Sequence, residues 1–150
     1  MQVMLLSKTQ DSFSRVSEED LQKNKHIMKM EEINKEKMEA VEILYCPPDV
    51  VDAHGDYMTR EDIEYMVKNF NDNIRDIPIN ISHAVNLPPS IVYPVKAWVN
   101  ETDCYIGDTF IPEGTPLVKI KFEDPELWEM RKNGTLMGVS IGAMGERYND

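Results

Sequence analysis

The sequence predicts an α+β domain: a small, mostly antiparallel β-barrel or curved sheet flanked by helices. Three observations lead there. Alternating apolar stretches outnumber helical ones, only two compact amphipathic helices fall within the body of the chain, and turn residues punctuate the strands closely. At 150 residues the chain is long enough for one domain with a genuine core.

The elements follow in order. Residues 17–40, "SEEDLQKNKHIMKMEEINKEKMEA", contain Lys, Glu and Met but no Gly or Pro, and open on a Ser17-x-x-Asp20 capping signature. They predict a helix with a ragged apolar stripe, docked weakly outside the core. From Glu39 the pattern changes. "AVEILY" alternates as a strand and stops at Cys46-Pro47-Pro48. "VVDAHGDYM" reads as a loop turning at Gly55, and Thr59 caps a helix whose Ile63, Met66, Val67 and Phe70 fall at i, i+3, i+4, i+7. "IPINISH" and "SIVYPVKAWV" read as strands, with Pro94 marking an edge or a bulge. "NETDCYIGDTFIPEGT" is an acidic connection with room for one short strand. "PLVKIKF" alternates cleanly. Asp124-Pro125 starts a short helix that Gly134 ends, and "LMGVSIGAM" forms the last of five or six strands. The composition break divides the chain into residues 1–39, a charged helical segment, and residues 40–150, the compact domain.

Charge narrows the function. The net charge is −11, of which −1 lies before residue 41 and −10 after it. Nucleic-acid binding needs a basic patch, and none stands out. Cys46 and Cys104 are too few for a disulfide framework or a cysteine zinc site, so free thiols are expected. No run of about 18 apolar residues exists, so no membrane span is expected, and "MQVMLL" is too short and lacks the basic start of a secretory signal. The chain reads as a soluble intracellular protein.

Chemistry rests on few residues. His26 lies in the charged amino-terminal stretch. His54, Asp52, Asp56 and His83 could together hold a divalent metal, but no His-x-His or His-Glu-x-x-His spacing sets them on one face, and aspartates in such a loop more often cap turns. A second combination joins Ser140 with His83. A serine hydroxyl attacks only when a base takes its proton and donors hold the developing oxyanion. Gly138, Gly142 and Gly145 keep side-chain bulk away from Ser140. "GVSIG" matches the letters of a nucleophile elbow, but no helical pattern follows it, which argues against an α/β-hydrolase.

The order "VVDAHGDYMTREDIEYMVKNF", then "NISH", then "EGTPLVKIKFEDPELWEMRKNGTLMGVSIGAMG" resembles the XkdF-like family of phage serine proteases, grouped with the prohead maturation proteases. The resemblance covers about residues 40–147. It implies a herpesvirus assemblin-like fold, with Ser140 as nucleophile, His83 as base and no cofactor. For the third member it leaves Asp56, Asp52, His54 or Glu146, with Asp56 favoured for its place at the loop exit. The oxyanion would fall to backbone N–H groups near Gly142, with Arg147 as a further donor. The implied activity is cleavage of scaffold and major capsid proteins, and of the chain itself, inside the procapsid in the bacterial cytoplasm. A homodimer is compatible with it. Residues 1–39 would then be a removable propeptide or a docking helix. The alternative is an assembly or scaffold module that keeps the fold without turnover.

Overall fold

A computed structural model describes residues 2–7, 29–81, 85–88 and 90–142. Eleven strands and two α-helices are described. The strands are β1 (Gln2–Ser7), β2 (Lys29–Met30), β3 (Ile33–Asn34), β4 (Glu39–Ile43), β5 (Ile79–Ile81) and β6 (Val85–Leu87). They continue with β7 (Val92–Val99), β8 (Cys104–Ile106), β9 (Thr109–Ile111), β10 (Pro116–Phe122) and β11 (Leu136–Gly142). The helices are α1 (Arg60–Asp72) and α2 (Pro125–Lys132), and a 3-10 turn covers Ile74–Asp76.

The α+β class holds, but the strands do not close into a barrel. They form three sheets, ordered β11-β1-β5-β6, β3-β4-β10-β7 and β2-β8-β9. Pairing is antiparallel except between β1 and β5 and between β2 and β8.

The second sheet is the centre of the packing. Its middle strand β10 turns Val118, Ile120 and Phe122 toward the helices and Leu117 toward the three-stranded sheet. On the helix side, Ile63, Met66, Val67 and Phe70 of α1 join Ala40, Val92 and Ala97 in the larger core, with Leu127 and Trp128 of α2 and Leu136 at the start of β11. On the other side Val41, Cys104, Ile106, Ile111 and Leu117 form a smaller core. Two-sided burial explains why β10 has five of its seven residues buried despite its alternating Lys119 and Lys121.

Local chemistry fixes the helix ends. At the start of α1 the Thr59 hydroxyl accepts from the Asp62 N–H (3.2 Å) and Asp62 accepts from the Thr59 N–H (3.0 Å), a reciprocal capping box. Asp124 caps α2, with Pro125 at its first position, and Gly134 follows its end at φ +85°. Pro94 meets both expectations at once. β7 is an edge strand, and its register against β10 slips by one residue between Lys96 and Pro94. Next to that slip, the Asn71 side chain of α1 donates to the Ala97 carbonyl (2.9 Å) and accepts from the Ala97 N–H (2.8 Å).

One expectation fails. Of the helix predicted over residues 17–40, the part from Lys29 onward is two short strands, a tight turn and the start of β4. Ile33 and Asn34 pair with Ala40 and Glu39, and Met38 in the turn between them takes φ +55°. Strand pairing and burial of Ala40 override the helical propensity of a Lys/Glu-rich stretch. Residues 17–28 lie outside the described residues. The connection after Asn100 holds two strands rather than one, β8 and β9, turning at Gly107 with φ +57°.

Candidate active site

Ser140 lies in β11, whose backbone pairs with β1. Among the described residues β11 has β1 on one side and no strand on the other, so the serine sits on the edge of its sheet. Met4 of β1 pairs with Ser140 on one side and with Asn80 of β5 on the other. Ser140 and Asn80 therefore occupy one backbone row, separated by two strand spacings, or about 9–10 Å. His83 comes three positions after Asn80, in the connection from β5 to β6, and lies outside the described residues. Gly142 closes β11. Arg147 and Glu146 lie outside the described residues.

An apolar groove of about 620 Å3 runs beside the β5–β6 hairpin, between Ile77, Ile79 and Leu87 on one wall and Val92, Tyr93 and Pro94 on the other. It separates β6, the far edge of the first sheet, from β7, the edge of the second.

The "VDAHGD" loop is organised by Asp52. Its carboxylate accepts from the Tyr45 hydroxyl (2.6 Å), the His54 N–H (2.8 Å) and the Asp56 N–H (2.9 Å). The Asp52 N–H in turn donates to the Asp56 carbonyl (2.7 Å), closing the loop around Gly55 at φ +82°. Desolvation works against an ionised Asp52, but the Tyr45 hydroxyl and the two N–H groups outweigh it and hold the carboxyl below its ordinary range. Burial, reinforced by that carboxylate, pushes the Tyr45 hydroxyl well above the usual tyrosine range. Asp52 is thus a loop-folding residue. Asp56 is half-buried at the exit of the same loop, and His54 is exposed.

The residues flanking this loop meet the turn before β10, in the second sheet. Arg60 reaches Glu113 (3.7 Å), and Pro48 lies against Gly114 in the turn before β10. The described structure therefore brings Ser140 into register with the strand leading to His83, while Asp52, His54 and Asp56 lie together in the loop before α1. Among the described residues no group of three or more His, Cys, Asp or Glu side chains could hold a metal ion. No described helix is long and apolar enough to cross a membrane, and both Cys46 and Cys104 are free thiols.

Sequence reasoning missed the buried residue that ties α2 to β4. Arg131 of α2 is 4% exposed and donates through Nε to Glu42 of β4 (2.5 Å), itself 5% exposed, and through its Nη2 to Glu32 (2.9 Å). Burial opposes the guanidinium charge, but the two carboxylates outweigh it and hold its pKa above the ordinary value. The sole sequence signal was an Arg two positions before the Asn133-Gly134 stop, spaced i, i+3 and i, i+4 from Trp128 and Leu127 on the buried helix face.

The architecture is that of an α+β domain carrying a serine on an edge strand, two strands from a hairpin that supplies a histidine. The chain belongs to the family described as "Putative phage serine protease XkdF", whose family model matches residues 18–149. It is 35% identical over 103 residues to the "Phage-like element PBSX protein XkdF" of Bacillus subtilis (strain 168), covering 69% of this chain and 36% of that one. It is 30% identical over 99 residues to the "Uncharacterized protein YqbD" of the same strain, covering 66% of this chain and 29% of that one. The matched region thus spans about a third of each relative. No solved structure matches the chain.

Proposed function

We propose that the chain is a serine peptidase of phage capsid maturation, with Ser140 as nucleophile and His83 as base. Membership in a phage serine-protease family supports the class. The observation that carries the residue assignment is that, among the described residues, Ser140 stands on a sheet edge in one backbone row with Asn80, which precedes His83 by three positions in the sequence. An open edge can accept an extended peptide by main-chain hydrogen bonding, which lays a scissile carbonyl along the strand. His83 takes the Ser140 proton as Oγ bonds to that carbonyl carbon. The C–N bond then breaks, the proton passes to the leaving amine, and water activated by the same histidine releases the acyl group. Backbone N–H groups near Gly142, with Arg147, would hold the oxyanion. Asp56 is the proposed orienter, although a dyad needs it only for tautomer control and imidazolium stabilisation.

The proposed substrates are scaffold and major capsid proteins, met inside the procapsid in the bacterial cytoplasm, with a homodimer as the working form and an assemblin-like relationship of fold. The test is co-expression with scaffold and capsid proteins, comparing fragments from wild type, Ser140→Ala and His83→Ala by mass spectrometry. Fragments present only with wild type support the peptidase. Identical patterns with Ser140→Ala refute it and leave an assembly module without turnover. Labelling of residue 140 by a serine-directed phosphonate is an independent check.

A further inference from the structure

Lys96 of β7 and Lys119 of β10 are direct cross-strand partners. Like charges placed opposite each other destabilise a strand pair. The chain carries 27 acidic residues against 16 basic ones, so carboxylates to neutralise these lysines are not scarce. Yet among the described residues neither forms an ion pair, whereas Lys29, Arg60, Lys68, Arg131 and Lys132 all do. Lys96 instead sits over Trp98, its ammonium 5.4 Å from the ring centroid.

Both lysines, with Lys37 and Trp98, line a cleft of about 390 Å3 on the second sheet, bordered by the link from β2 into β3. Val41, the partner of Lys119 on its other side, is 8% exposed and supplies an apolar wall. Glu31, Glu32 and Glu39 also line the cleft, but Glu32 is committed to Arg131. With Glu32 set aside, three lysines and two glutamates line the cleft. That balance leaves room for one added negative charge beside an aromatic ring. A polyanion would meet the remaining carboxylates and the strongly acidic chain.

We propose that this cleft binds an acidic peptide segment of a partner protein, with one Asp or Glu carboxylate between Lys96 and Lys119 and a neighbouring apolar side chain against Trp98. The bound carboxylate relieves the repulsion that the free sheet tolerates. The site is independent of the peptidase chemistry, and its test does not need turnover.

The probe is a fluorescein-labelled peptide, Ala-Leu-Glu-Asp-Leu-Ala, followed by anisotropy with the full chain; its counterpart carries Gln and Asn in place of Glu and Asp. The acidic peptide is expected to bind saturably, and the amide peptide about tenfold or more weaker. Lys96→Gln and Lys119→Gln should each weaken binding by about tenfold, while Lys68→Gln on α1 leaves it unchanged. Thermal midpoints separate lost binding from lost folding, and Lys119→Gln should melt at or above wild type, since removing one lysine removes the repulsion. The proposal is overturned by no saturable binding of the acidic peptide below about 1 mM. It is equally overturned if the amide peptide binds as well, if the folded lysine variants bind as wild type does, or if inorganic phosphate or a thymidine oligonucleotide displaces the peptide at equal concentration.

Discussion

Replacing Arg131 by Met is expected to cost about 3–5 kcal/mol, because it leaves the Glu42 carboxylate, 5% exposed, without its guanidinium. The methionine itself keeps most of the apolar stem volume, so the loss is electrostatic rather than a cavity. A domain of this size has about 5–15 kcal/mol in total, and each kcal/mol moves the melting midpoint by about 2–4 °C. The drop should therefore be about 6–20 °C. Glu42→Leu should cost less, since the Glu32 carboxylate at 2.9 Å still holds the arginine. The double variant Arg131→Met/Glu42→Leu replaces the buried pair by apolar groups and should recover about 2 kcal/mol or more relative to Arg131→Met. Urea unfolding of the four proteins gives the coupling energy directly, provided the slopes agree. Additive losses would refute the reasoning, as would a cost below about 1 kcal/mol for Arg131→Met. If cleavage activity is established, Arg131→Met should also lower it, because α2 leads through Gly134 into the serine strand.

Three other outcomes are expected. Tyr45→Phe removes the hydroxyl that holds Asp52 ionised, and should lower stability at neutral pH by about 0.5–1.5 kcal/mol. Asp52 has a folded pKa below its model-peptide range, so its contribution is present above the unfolded pKa near 3.8 and is lost as pH falls through the folded value. The two proteins should therefore converge in acid, and a difference that persists at pH 2 would refute the assignment. Gly114→Ala should destabilise by about 1–3 kcal/mol, because a Cβ at φ +89° would sit 2.7 Å from Pro48 Cγ; an unchanged melting midpoint would contradict this. Asn71→Ala should cost about 1–3 kcal/mol by removing both bonds to Ala97, and faster amide exchange at Ala97 would locate the loss.

Local elements were legible in the sequence, and long-range ones were not. The i, i+3, i+4, i+7 stripe of α1, the Asp124-Pro125 start of α2 and the alternation of β10 each carry their signal within a few residues. Residues 29–40 have helical composition, and what makes them strands is pairing with β4 and β8. The Arg131–Glu42 contact joins positions 89 apart, so no window along the chain contains it. Ser140 could be placed on a strand from its neighbours, but its row partner Asn80 depends on β1 lying between them. From the sequence, only a place at the loop exit favoured Asp56 over Asp52. Only the hydrogen bonds of the folded loop distinguish the organiser from its neighbour.

The row that aligns Ser140 with Asn80 is built on β1, drawn from the start of the sequence, while Ser140 comes more than 130 positions later. Closing so long a loop is entropically costly and slow compared with the local pairings of β5 with β6 or β8 with β9. On a ribosome, β1 must wait for nearly the whole described chain to emerge before β11 can join it. Among the described strands, the last to be synthesised is the one that carries the serine. The pairing of β1 with β11 is therefore timed by translation: a nascent chain lacks that pairing, and the backbone row through Ser140, until β11 has been made.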